Sequence, residues 1–244
     1  SSHMKILLSN DDGYFASGIQ ALIKELEKKH DVYVAAPAVN HSAGSSALSV
    51  RKNIKVDNIQ KNHYVIDGTP ADSVHIALSS LIKDKIDMVV SGINLGANLG
   101  DDVIYSGTVA AALEGRHLEM SPIAISLVSH EIITIDEAAV ISADLVERIT
   151  LKKNVAKNTL LNINIPDCHK KNSAIEYTKL GTRDTPIPAQ KINDDGFYKI
   201  GAAGPPKDNS PGTDFFAISK SNISISPILY DLTDYNILKK INNI

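Results

Sequence analysis

The residues best suited to chemistry fall in short polar clusters separated by apolar runs. Asn10-Asp11-Asp12-Gly13 sets two adjacent carboxylates before a turn-forming glycine. Neighbouring side chains in a strand point to opposite faces. Asp11 and Asp12 can therefore address one point only where a strand has ended. Carboxylates brought together repel unless positive charge lies between them. Asn40-His41-Ser42, Asp67-Gly68-Thr69-Pro70-Ala71-Asp72 and the stretch Ser91 to Gly100 add neutral oxygens. With Ser42 and Asn94 as partners, the set around Asp11 and Asp12 is all oxygen. It suits a hard cation such as Mg²⁺, Mn²⁺ or Ca²⁺ better than zinc. The competing reading makes Asp11 or Asp12 a helix cap.

Ser106-Gly107-Thr108 opens an alanine-rich helical stretch. Free N–H groups and two hydroxyls there make a seat for phosphate, with a plain serine N-cap as the alternative. Gly92, Gly96 and Gly100 recur every fourth residue, with Asn94 and Asn98 between them. That is neither the Gly-x-Gly-x-x-Gly dinucleotide fingerprint nor a Walker A loop. Such glycines let backbone approach a ligand closely. No two histidines have metal-ligand spacing. His41 alone adjoins a polar cluster; His30, His63, His130 and His169 are expected at the surface. Tyr105 is read either as a base-stacking group or as half-buried packing.

The elements that must position these clusters are legible in the periodicity. Lys5–Ser9, Asp31–Pro37, Ile86–Ser91, Pro122–Val128 and Leu160–Ile165 read as buried strands. Ser17–Lys29, Pro70–Ile82, Gly107–Glu119 and Asp136–Ile149 read as helices, Thr69 capping the second. The βαβ rhythm predicts an α/β fold, a Rossmann-like three-layer sandwich with a mostly parallel sheet. Ser45–Val50, Lys52–Val56 and His63–Ile66 suggest a small antiparallel insertion. In an open parallel sheet, ligands bind beyond the carboxyl ends of the strands. All the polar clusters therefore gather at one rim.

After about residue 166 the pattern changes. Five of the ten prolines lie between Pro186 and Pro211. Ala174–Lys179, Gly196–Ile200 and Ala217–Ser226 read as strands, and Tyr230–Ile244 as a C-terminal helix. The division is a core over residues 4–166 carrying the site, and a portion over 167–244 with an extended β-hairpin arm. Such an arm suits contact between subunits.

The chain has 244 residues, 43% hydrophobic and 22% charged, with net charge −3. Disorder is excluded by the apolar content. A membrane span is excluded by the want of a long apolar run. The charge offers no footprint for nucleic acid. A single cysteine, Cys168, and no secretion signal point to a reducing, cytoplasmic setting. Ser1, Ser2 and His3 read as a cloning remnant ahead of Met4.

Taken in order, Asn10-Asp11-Asp12-Gly13, Ser42, Gly68 to Asp72, Ser91 to Asn94 with Gly96 and Asn98, and Tyr105 to Gly115 resemble the motifs of the SurE family. The resemblance runs from Met4 to the C-terminus and is densest before residue 128. It implies a divalent-metal phosphomonoesterase acting on nucleoside 5′- and 3′-monophosphates, and in some members on short polyphosphate. It implies one Mg²⁺ or Mn²⁺ per subunit on Asp11, Asp12, Ser42 and Asn94. Phosphate contacts fall on Asn98, Ser106, Gly107 and Thr108. It implies a homodimer or homotetramer formed through the arm and the C-terminal segment. Asp11 and Asp12 are then the candidate catalytic carboxylates. Their adjacency favours attack by water over an aspartyl-phosphate. A non-catalytic nucleotide-binding module is the alternative, and a nicotinamide oxidoreductase is disfavoured by the missing fingerprint.

Overall fold

The structure is a computed structural model and describes residues 3–40, 47–152, 158–167 and 174–242. Strands β1 (Lys5–Ser9), β2 (Asp31–Pro37), β3 (Val56–Gln60), β4 (His63–Ile66), β5 (Met88–Leu95), β6 (Ile123–Leu127) and β7 (Thr159–Ile165) belong to one sheet. Between them run helices α1 (Ser17–Leu26), α2 (Pro70–Ile76), α3 (Gly107–Leu113) and α4 (Ile135–Leu151). Four short strands follow β7: β8 (Ile175–Tyr177), β9 (Thr182–Arg183), β10 (Gln190–Lys191) and β11 (Tyr198–Lys199). Strand β12 (Pro206–Asp208), helix α5 (Asp214–Ser219), strand β13 (Ile223–Leu229) and helix α6 (Tyr235–Lys240) complete the described chain.

Among the described residues the main sheet has nine strands in the order β3-β4-β2-β1-β5-β6-β7-β13-β8. From β4 to β7 all neighbours are parallel; β3 and β13 pair antiparallel with β4 and β7. Alternation along β1 explains why its central residues Ile6, Leu7 and Leu8 are all apolar. Ile6 and Leu8 face a cluster with Ile19 and Leu22 of α1 and Leu145 of α4. Leu7 faces the other way, onto Val74 of α2 and Ala111 of α3. The chain leaves β1 toward β2 on one side and later returns to β5 on the other. The β1/β5 seam is thus the topological switch point, where such sheets open a crevice.

Several expectations need correction. Lys52–Val56 is not a strand; β3 starts at Val56, and β4 joins the main sheet through β2, so the insertion is a sheet edge. Ala47–Val50 forms no strand, and the rest of the Ser45–Val50 segment lies outside the described residues. Helix α3 ends at Leu113 rather than Glu119. Ala217–Ser219 is helical, because Thr213 caps α5 by accepting from Phe216 N at 3.2 Å. The C-terminal helix spans only Tyr235–Lys240. His30 and His63 are buried. His30 Nδ1 accepts from Met4 N at 3.2 Å and its Nε2 lies 3.3 Å from Glu147. His63 pairs with the Tyr14 hydroxyl at 2.8 Å.

Candidate active site

Strand β1 stops at Ser9, and buried Asn10 closes the turn that follows. Its Nδ2 donates to Gly13 O at 2.7 Å, and its Oδ1 accepts from Gly13 N at 3.2 Å. The strand ends before the two carboxylates, as adjacency required. Asp12 reaches β5, where its Oδ2 accepts from Leu95 N at 3.1 Å. Asp11 is buried against the first residue of α3. A Cβ at Gly107 would lie 2.5 Å from Asp11 Oδ1, so glycine is what allows the approach. Asp11 and Asp12 thus tie the β1 turn to α3 and to β5.

Asn94 lies inside β5, not in a loop after it. The strand keeps pairing with β6 through an irregularity between Ser91 and Asn94. Gly92 permits it: φ is +150°, and a Cβ there would meet Ile125 O at 2.6 Å. Asn94 Nδ2 donates to Gly96 O at 2.8 Å, which leaves Oδ1 as the acceptor end of the amide. It neighbours Leu95, whose N–H holds Asp12.

Ser106 caps α3, its Oγ accepting from Val109 N at 3.1 Å. The cap reading is therefore realised, and the hydroxyl hydrogen is still available to donate. Thr108 Oγ1, with Ser9 Oγ and Ser91 Oγ, is buried and has no hydrogen-bond partner among the described residues. Asn98 is buried, and its Nδ2 donates to Ser126 Oγ at 2.7 Å. Tyr105 is 82% exposed, which removes the packing reading. Ser42 and His41 lie outside the described residues.

Burial raises the Asp12 pKa, and the Leu95 N–H partly offsets it. Among the described residues no Lys, Arg or His forms an ion pair with Asp12. A partly buried carboxylate with no counter-charge among the described residues, next in sequence to a buried one, fits a cation site. The donors are oxygens, and among the described residues no three His, Cys, Asp or Glu side chains cluster in a metal-binding arrangement. The carboxylate and amide oxygens of Asp11, Asp12 and Asn94 suit a hard ion better than zinc.

Sequence reading missed Asn162, Asn164, Ser126 and Asp214. The first two stand at alternate positions of a buried apolar strand, LLNINI. Asp214 is fully buried and accepts from Gly100 N at 2.7 Å and Gly181 N at 2.8 Å. For Ser126, Asn162 and Asn164, polar residues inside apolar runs were the available signal.

Fold and site together define a doubly wound α/β protein with two neighbouring carboxylates at its switch point. The family model for "Survival protein SurE" matches residues 6–186. The chain is 43% identical to 5′-nucleotidase SurE of Legionella pneumophila (strain Lens), covering 99% of this chain and 97% of the relative. It is 45% identical to 5′-nucleotidase SurE of Ruthia magnifica, covering 96% and 95%. A crystal structure of SurE protein from Aquifex aeolicus superposes with TM-score 0.85 at 37% identity, covering 97% of this chain and 98% of that one. The chain belongs to the SurE family.

Proposed function

We propose that this chain is a metal-dependent 5′-nucleotidase that hydrolyses nucleoside monophosphates to nucleoside and phosphate. The observation that carries the reading is the meeting, at the β1/β5 switch point, of Asp11 against the start of α3 and Asp12 against the end of β5. Full-length relatives named 5′-nucleotidase support it.

Asp11, Asp12, Asn94 and Ser42 would hold one Mg²⁺ or Mn²⁺. When bound, the ion supplies positive charge against the phosphate and makes water more acidic. Asn98, with one amide hydrogen not used by Ser126, holds a phosphoryl oxygen. The Ser106 hydroxyl and the N–H groups of Gly107 and Thr108 hold the others, where charge builds in the transition state. Water attacks phosphorus opposite the ester oxygen, the bond from phosphorus to that oxygen breaks, and the proton the water gives up balances the one the departing nucleoside oxygen takes. A phosphate-release panel over 5′- and 3′-nucleotides and short polyphosphate tests this reading. Release from 5′-monophosphates with Mg²⁺ or Mn²⁺, abolished by EDTA, is expected. Tight nucleotide binding without release would make the chain a binding module.

The arm supports self-association. Ile187, Ile192, Phe197, Tyr198 and Ile200 are exposed along it, and Leu232 is 94% exposed near the C-terminus. Exposed apolar side chains so concentrated suit a second copy of the chain. Sedimentation should give a dimer or tetramer, and Ile200→Asp with Leu232→Asp should weaken it. No helix among the described residues is long and apolar enough to cross a membrane. The single cysteine supports a reducing cytoplasm.

A further inference from the structure

A polar row crosses the interior of the sheet. Asn94 of β5, Ser126 of β6, Asn164 of β7 and Ser224 of β13 are register partners in succession. Ser126, Asn164 and Ser224 are fully buried, as is Asn162 two residues before Asn164. Burying amides costs free energy unless every donor and acceptor is matched. Here the two β7 amides direct their hydrogen bonds to a single loop residue. Asn164 Oδ1 accepts from Asn98 N at 3.0 Å, and its Nδ2 donates to Asn98 O at 3.0 Å. Asn162 Nδ2 donates to the same carbonyl at 2.9 Å. Ser126 takes the Asn98 side chain at 2.7 Å. Four bonds from two strands thus fix both backbone and side chain of Asn98.

Asn162 Oδ1 is buried without a partner among the described residues. An apolar residue would suit that place in the sheet better, so stability alone does not explain the asparagine. Leu160, on the same face of β7, packs with Val103, Val109 and Ala112. The segment from Asn98 to α3 therefore lies over this face. A group that must meet a phosphoryl oxygen needs placement within a fraction of an ångström.

We infer that Asn164, with Asn162 and Ser126, is a positioning residue that aims Asn98 at the phosphate. The inference rests on the nucleotidase reading. Asn164→Ala should speed hydrogen exchange at the Asn98 amide by at least about 100-fold, since its acceptor is removed. It should lower kcat by about 10–100-fold while KM moves less than about threefold. Ser224→Ala is the control. It removes an equally buried hydroxyl on the neighbouring strand, bonded to Thr178 Oγ1 at 2.7 Å rather than to Asn98. It should leave both readouts near wild type.

Should Asn164→Ala fail to fold, Ser126→Ala gives the same test. It should lower kcat, Ser126→Thr should restore it, and neither should change activity further in an Asn98→Ala background. Unchanged exchange at Asn98 in Asn164→Ala overturns the inference. So does a full-sized further loss from Ser126→Ala on top of Asn98→Ala, or wild-type kcat in both single variants. A wild-type protein that releases no phosphate from any nucleotide overturns the nucleotidase reading instead.

Discussion

Alanine at position 107 adds one methyl group where α3 meets the β1 turn. Its Cβ would lie 2.5 Å from Asp11 Oδ1, 2.9 Å from Asp11 Cγ and 3.4 Å from Pro70 Cγ. Contact distance for such atoms is about 3.5 Å, so the Asp11 carboxyl must retreat by about 1 Å. Two effects on stability oppose each other. Alanine restricts the unfolded chain more than glycine does, which favours it by about 0.5–1 kcal/mol. Overpacking costs about 1–3 kcal/mol. The net change is a loss of at most about 2.5 kcal/mol, or a fall in Tm below about 10 °C for a chain of this size. A shift of about 1 Å in a group at the reacting centre costs about 100-fold in rate. Phosphate release from a nucleoside monophosphate at saturating Mn²⁺, with melting measured in parallel, reads both quantities. Activity within about threefold of wild type in folded Gly107→Ala would refute the placing of Asp11 at the reacting centre. A fall in Tm above about 20 °C would make Gly107 a residue of the fold instead.

Asp12→Asn removes a charge that burial disfavours. In EDTA its Tm should equal or exceed that of wild type, while added Mn²⁺ stabilises wild type only and activity falls by orders of magnitude; calorimetry decides. Asp214→Ala leaves the buried Gly100 and Gly181 N–H groups without their acceptor. At about 1–3 kcal/mol for each, urea unfolding should show a loss of about 2–6 kcal/mol. Burial lowers the His30 pKa, opposed by Glu147. The unfolded chain takes up a proton near pH 6.5 that the fold resists. Stability is thus full above that pH and falls as pH drops toward the folded value. His30→Gln should flatten the slope in melts taken between pH 5 and 7.

Buried parallel strands were the most legible part of the chain, because a strand covered on both faces needs an apolar run. Lys5–Ser9 and Asp31–Pro37 match the structure to the residue. Strand β5 was cut short at Ser91, since glycine and asparagine read as loop. Pairing with β6 carries it on to Leu95, and that is what sets Asn94 inside the sheet. Ala217–Ser219 looked extended by its apolar residues, yet the Thr213 cap decides for helix. The carboxylate pair was legible as chemistry, and its anchoring to Leu95 and Gly107 was not. Those contacts join segments more than 80 residues apart, which no local pattern records. Burial of His30 and His63 likewise depends on partners distant in sequence, Glu147 and Tyr14.

Asp11 and Asp12 are expected to share one divalent cation, and anomalous diffraction from a crystal grown with Mn²⁺ would locate it. A single peak should lie within about 2.0–2.6 Å of carboxyl oxygens from both residues and of Asn94 Oδ1. A peak elsewhere, or carboxyls turned apart with Asn94 remote from both, would contradict it.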